Sequence, residues 1–226
     1  MIGFLILVAA FVVFVGVLQY QKVKTIAHRR TFIQDYDLAH LRPKLSHHYP
    51  ELTDEQLTQV EFGLKQFFQA NLLLEDQSLA MPSRVVDALW HEFILHTQEY
   101  QSFCYEAFGR FLHHCPSEAM KGKNKAQLSL RKTWRACCSI ERISPRRPAA
   151  LPILFALDAL LNIPNGYYYS ATDFREPVTK GDSSSTTYAG HIGCTSMDSG
   201  DSSSSSSSSS NLSCSSGSSC GSGCSS

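Results

Sequence analysis

Seventeen consecutive residues, Ile2 to Leu18 (IGFLILVAAFVVFVGVL), carry no charge, and this run constrains the chain more than any other feature. As a helix it reaches about 25 Å, close to the hydrocarbon thickness of a bilayer. The run is therefore predicted to be a transmembrane anchor over residues 1–20. A cleaved signal peptide and a peripheral apolar helix are the alternatives, but a signal peptide needs a basic segment before the apolar stretch, and nothing basic precedes Ile2 except the terminal amine. Lys22, Lys24, Arg29 and Arg30 follow, with no acidic residue until Asp35. The positive-inside rule then places the downstream chain in the cytoplasm, with residues 21–30 a basic linker beside the membrane.

The other end of the chain is equally biased. Residues 181–226 hold 22 serines, seven glycines and four cysteines, with nine serines in a row from Ser202 to Ser210. Such a segment lacks the apolar surface to offset chain entropy, so 175–226 is expected to be a disordered tail. The separations of Cys194, Cys214, Cys220 and Cys224 match no common zinc module. In a cytoplasmic setting Cys104, Cys115, Cys137 and Cys138 need not form disulfides. Lys and Arg balance Asp and Glu at 20 each, which removes any whole-chain electrostatic case for a nucleic-acid partner.

Residues 31–174 are left for one folded domain. Thr53 and Gln56 stand at capping-box spacing before Leu57, Val60, Leu64, Phe67 and Phe68, which recur at helical intervals. Met81-Pro82-Ser83 interrupts; Ser83 is a candidate N-cap for a helix with Val85, Val86, Leu89, Trp90, Phe93 and Ile94 on one face. Thr97 can cap a third helix, with Tyr100, Phe103, Cys104, Ala107 and Phe108 inside and Gly109 as its stop. Residues 124–142 predict a basic helix, and Leu151 to Leu161 an apolar one ended by Ile163-Pro164-Asn165-Gly166. No alternating strand pattern competes. The class is all-α, packed as a small orthogonal or bundle-like array.

One local pattern carries chemistry. Asp87 and His91 stand at i and i+4, one turn apart on the same helical face. A carboxylate there can hold one imidazole nitrogen and set the tautomer, as happens around catalytic or metal-bound histidines. A surface pair, or a structural histidine at the edge of the stripe bearing Trp90, is the plainer alternative.

Asp87, Trp90-His91, Phe93-Ile94-Leu95, Thr97, Tyr100, Phe103-Cys104, Phe108-Gly109 and Leu112-His113-His114-Cys115-Pro116 resemble the glycine-rich domain-containing-protein-like family, known from plant proteins with a Trp-His-x-His element and from uncharacterised bacterial relatives. The likeness is most specific over 81–116. It implies a helical domain of unsettled biochemistry, sometimes with a low-complexity Gly-rich tail to which the present Ser/Gly/Cys tail is similar, and a motif of possible binding role made of Asp87, Trp90, His91, Thr97, Tyr100, Cys104, His113 and His114. A bacterial inner membrane is the location expected from the apolar span and the cations after it. The second histidine of the Trp-His-x-His element is Phe93 here, so one of two neighbouring imidazoles is absent.

His91-Glu92 to His96 also has the HExxxH spacing of a minority of zinc-dependent dipeptidyl peptidases. Residues i and i+5 stand about 140° apart on a regular helix, and no downstream acidic ligand motif accompanies them. His96 is expected on the buried stripe of Val85, Leu89 and Phe93. If the helices on either side of Thr97 fold back on one another, His91, His113, His114, Cys104 and Cys115 become weak candidates for a mixed zinc site. Otherwise His113-His114 would close a helix, and Cys104 would be a small core residue. Residues 51–99 carry nine acidic and two basic side chains; residues 121–147 carry nine basic ones opposed only by Glu141. That basic segment is expected to be solvated or paired within the domain, with anionic headgroups as the alternative.

No complete catalytic set is present. The expectation is a membrane-anchored, cytoplasm-facing helical protein acting as an interaction or scaffolding module, with the bilayer contacted through residues 2–18 and an unidentified protein partner. The alternative is a metal-dependent enzyme or metal-binding protein using Asp87 and His91.

Overall fold

The structure is a computed structural model, and it describes residues 2–75, 77, 79–114 and 123–174; of residues 2, 3, 5, 6, 8, 123 and 124 it describes the backbone alone. The described residues form seven α-helices and no strand, as the all-α expectation required. They are α1 Ile2–Asp35, α2 Arg42–His48, α3 Asp54–Leu73, α4 Arg84–Leu95, α5 Thr97–Phe108, α6 Lys123–Glu141 and α7 Ile153–Leu160, with a 3-10 turn Ala39–Leu41 leading into α2. The expected tail, with Cys194, Cys214, Cys220 and Cys224, lies outside the described residues, as does Cys115.

α3 is the axis of the domain. Its start is the capping box foreseen from sequence: the Thr53 side chain accepts from the Gln56 N–H, and the Gln56 side chain accepts from the Thr53 N–H. Twelve of its residues are buried, including Leu57, Leu64, Phe67 and Phe68, because α1, α4, α6 and α7 all pack on it. α7 and α4 come closest at Gly63, where an added Cβ would collide with Leu157. Burial of so many faces forces polar side chains inside, and each finds a partner. Glu61 takes Arg42, Gln66 joins Glu141 and the Leu154 N–H, and Asn71 donates to the Phe67 carbonyl. Among the described residues no buried side-chain nitrogen or oxygen lacks a hydrogen bond, as the cost of stranding one demands.

The aromatic core follows from the predicted stripes. Phe68 lies 4.9 Å from Phe103 and Phe67 lies 5.1 Å from Trp90, ring centre to ring centre. Trp134 on α6 stacks on Phe174 at 4.2 Å and meets Phe155 of α7 edge-on. Cys104, Cys137 and Cys138 are free and buried. Burial pushes the Cys138 thiol up to about 11 and holds those of Cys137 and Cys104 above their usual range, so all three behave as small apolar groups rather than thiolates.

Two sequence expectations change at the N-terminal end. The basic linker at 21–30 is helical: α1 runs unbroken from the apolar run to Asp35, about 51 Å in length. Its second half is part of the domain, with Ile33 fully buried, Phe32 and Tyr36 against Phe103, and Arg29 donating to the Phe108 carbonyl at the end of α5. The pattern was hidden by charge, since Arg29 and Arg30 interrupt the apolar face that Ile26, Phe32 and Ile33 make. The other expectation, the transmembrane segment, is not supported: among the described residues no helix is long and apolar enough to cross a membrane. Five residues of the apolar run, at 2, 3, 5, 6 and 8, are described by backbone only.

Thr97 is the first residue of α5 rather than its cap. His96 occupies the cap position, with φ −80° and ψ 61°, and no side chain caps that end. Because only His96 separates α4 from α5, the chain bends within one residue, and α5 packs on α4 where Tyr100 and Phe103 meet Phe93.

Candidate functional site

The bend at His96 and a second one at Gly109 bring the site together. Gly109 adopts φ 71°, a left-handed conformation open to glycine at little cost, and ends α5 as expected. The chain then returns alongside α4 through residues 110–114. Trp90 holds it there: its indole N–H donates to the Tyr100 hydroxyl at 3.1 Å, and that hydroxyl donates to the Leu112 carbonyl at 2.6 Å. Two residues beyond, the His114 ring sits against the Trp90 indole, with centres 4.6 Å apart.

His114 thereby reaches Asp87. Its Nε2 lies 2.9 Å from Asp87 Oδ1 and donates to it, while the other carboxylate oxygen is 3.5 Å from His91 Nδ1. His91 Nδ1 also lies 2.7 Å from the Asp87 backbone carbonyl, which accepts its proton. The two imidazole rings are 4.3 Å apart. Exposure is graded: the His114 side chain is 14% exposed, Asp87 33% and His91 52%. One oxygen or nitrogen from each of the three can be chosen so that all lie within 4.8 Å of one another.

The Trp90–Tyr100–Leu112 relay predicts its own test. Tyr100→Phe removes the hydroxyl that both accepts from Trp90 and donates to Leu112, leaving a buried donor and a buried carbonyl unpaired. Urea unfolding should show a loss of about 1 to 3 kcal/mol, and an unchanged midpoint would mean the relay contributes nothing.

A second polar cluster surrounds His96, and of its members only His96 and Glu92, both in the HExxxH spacing, were singled out from sequence. Glu99 Oε2 lies 3.1 Å from His40 Nε2 and 3.4 Å from His96 Nδ1, while Glu99 Oε1 accepts from the Tyr36 hydroxyl. Lys44 Nζ donates to His96 Nε2 at 2.9 Å, and His48 pairs with Glu92 at 3.2 Å. His96 is thus a partly exposed polar residue, not a member of the buried stripe. The spacing of four between His40, Lys44 and His48 could have flagged this face, had the short helix Arg42–His48 been recognised. His40, His96 and Glu99 could also approach one ion. An ammonium only donates, however, so Lys44 fixes Nε2 of His96 as the acceptor and leaves its proton on Nδ1, facing Glu99.

The histidines of the HExxxH spacing therefore part company. His91 joins Asp87 and His114; His96 joins Glu99, His40 and Lys44. Of the remaining motif residues, Thr97 is exposed, Cys104 is buried in the core, and His113 is exposed against Phe111, with ring centres 4.9 Å apart. His113 and His114 close no helix, since α5 ends at Phe108.

The fold and site define an all-helical domain with an imidazole–carboxylate cluster on α4. The chain belongs to the UCP032817-like family, an uncharacterised one, whose model matches residues 28–192. This corrects the resemblance to glycine-rich domain proteins, which nothing in the match supports. Trp90, Phe93, Tyr100, Phe103 and Phe108 carried much of that likeness, and all five are core residues; apolar spacing of this kind recurs in unrelated amphipathic helices. No curated protein matches the chain, and no solved structure does.

Proposed function

We propose that this chain is a single-pass membrane protein whose helical domain faces the cytoplasm and serves as an interaction or scaffolding module for a protein partner. One observation carries the reading: Phe11, Val12, Val13 and Phe14 are each 59% exposed or more. Four consecutive residues of a helix point to every side of it, so the domain leaves this part of α1 uncovered all round. An uncovered helix that is apolar on every face is stable in lipid and unstable in water. Lys22, Lys24, Arg29 and Arg30 follow the run and favour the cytoplasmic side for the domain. Because α1 continues without a break into the core, the domain would be held rigidly at the membrane rather than on a loose tether. On the domain itself the aromatic side chains of Phe62 and Tyr105 are each more than half exposed, a residue type enriched where proteins meet.

The full chain is expected to float with phospholipid vesicles and to resist carbonate extraction. Val12→Asp with Val13→Asp should release it, since each carboxylate at a helix centre costs on the order of 3 kcal/mol in a bilayer. A reporter fused after Ser226 should be active in the cytoplasm. Carbonate-soluble wild-type protein, or a reporter active only on the far side, would overturn the reading.

A further inference from the structure

We propose that Asp87, His91 and His114 form a binding site for a divalent transition-metal ion of the zinc type. Two imidazoles and a carboxylate are a donor set that such ions take, commonly with a remaining position left to water. The donor atoms are assembled from α4 and from a segment 27 residues further on, and they already lie within 4.8 Å of one another. Donors around a tetrahedral zinc with bonds of about 2.1 Å stand about 3.4 Å apart. Closing the cluster to that size needs shifts on the order of 1 Å, and the half-exposed His91 ring has room to make them.

The cluster holds more than the fold requires. Pinning residues 110–114 to α4 needs the Tyr100–Leu112 bond and one His114–Asp87 contact. His91 adds nothing to that pin, because its Nδ1 proton is already taken by the Asp87 carbonyl. Yet its ring lies 4.3 Å from that of His114, beside the same carboxylate. The nitrogens nearest the carboxylate, Nδ1 of His91 and Nε2 of His114, carry protons held by the Asp87 carbonyl and the Asp87 carboxylate, so binding an ion there releases those protons or turns the rings, and affinity should rise with pH. His114 is oriented on its other side by Trp90. The cluster around His96 lacks this freedom, because Lys44 occupies one nitrogen of His96 and Glu99 faces the other. A metal there would have to displace an ammonium.

Solvent access at His91 gives the ion an exchangeable face, so the site would take an oxygen or nitrogen donor from water or a ligand.

The test uses the full-length chain in detergent with Cys115, Cys194, Cys214, Cys220 and Cys224 replaced by Ser, so that thiolates do not compete. Zinc is titrated by calorimetry and Co(II) by visible absorption. One equivalent is expected, with a rise in melting temperature because the ion binds the folded state. His91→Ala, His114→Gln and Asp87→Asn should each weaken binding about a hundredfold or more, while His113→Ala and His96→Ala leave it unchanged. Circular dichroism of the apo variants separates lost ligands from lost folding, and His91→Ala, at a half-exposed position, should remain fully helical. Absence of saturable binding by the parent chain would overturn the proposal. So would a loss in His96→Ala equal to that in His91→Ala, which would place the ion with Glu99 and His40.

Discussion

Asp158→Ala is expected to destabilise the domain by about 3 to 5 kcal/mol, enough to unfold much of a protein of ordinary stability. Asp158 on α7 is 1% exposed, and its carboxylate accepts from the Ser83 hydroxyl at 2.7 Å and from the backbone N–H groups of Arg84, Val85 and Tyr167. Three of those donors belong to the start of α4, where unpaired N–H groups and the positive end of the helix dipole favour an anion. Alanine would leave all four donors without this acceptor, the Ser83 hydroxyl and the Val85 N–H in buried places and the Arg84 and Tyr167 N–H groups in part-buried ones. Asp158→Asn keeps the shape but loses the charge and turns an NH2 toward donors, so a loss of about 2 kcal/mol is expected. Urea unfolding measures both, and hydrogen exchange at the Arg84 and Val85 amides should quicken first. A loss below about 1 kcal/mol for alanine would mean that water satisfies those donors in the native state. In the sequence Asp158 looks like an interruption of LPILFALDALL, and that oddity was its only signal.

Trp90→Ala should cost about 3 to 5 kcal/mol as well, by a different route. The indole packs between Phe67 and Phe68, starts the relay to Leu112, and supports His114. Its removal opens a cavity and releases the returning segment together. Trp90→Phe fills most of the space but leaves the Tyr100 oxygen without its donor, so a loss of about 1 to 2 kcal/mol is expected. His91→Ala, at a half-exposed pair, should cost about 0 to 1 kcal/mol in the absence of metal. Calorimetric melting of the three variants would show the order. If His91→Ala proved as damaging as Trp90→Ala, His91 would belong to the core rather than to a site.

The helical domain was legible wherever local physics decides. The Thr53–Gln56 capping box, the Ser83 cap, the Gly109 stop and the apolar faces of α3, α4 and α5 all depend on residues within one or two turns of each other. α2 escaped notice because it has only seven residues and one buried side chain, Leu45. The helical stretch at 21–35 escaped because its apolar face is interrupted by cations, one of which, Arg29, serves as a cap for another helix.

The site divides along the same line. Asp87 and His91 share one turn of one helix, so their pairing is a property of the sequence. The arrival of His114 is not: it depends on a bend at His96, another at Gly109, and a hydrogen-bond relay from Trp90 through Tyr100 to Leu112. Sequence alone determined that α3, α4 and α5 are helical and which faces they bury, because periodicity and capping act over three or four residues. Only the tertiary structure decided which distant side chains meet, placing His114 with Asp87, Glu99 with His40, and Asp158 beneath α4. Those meetings depend on bends of the chain and packing across up to 75 residues, and no local spacing encodes them.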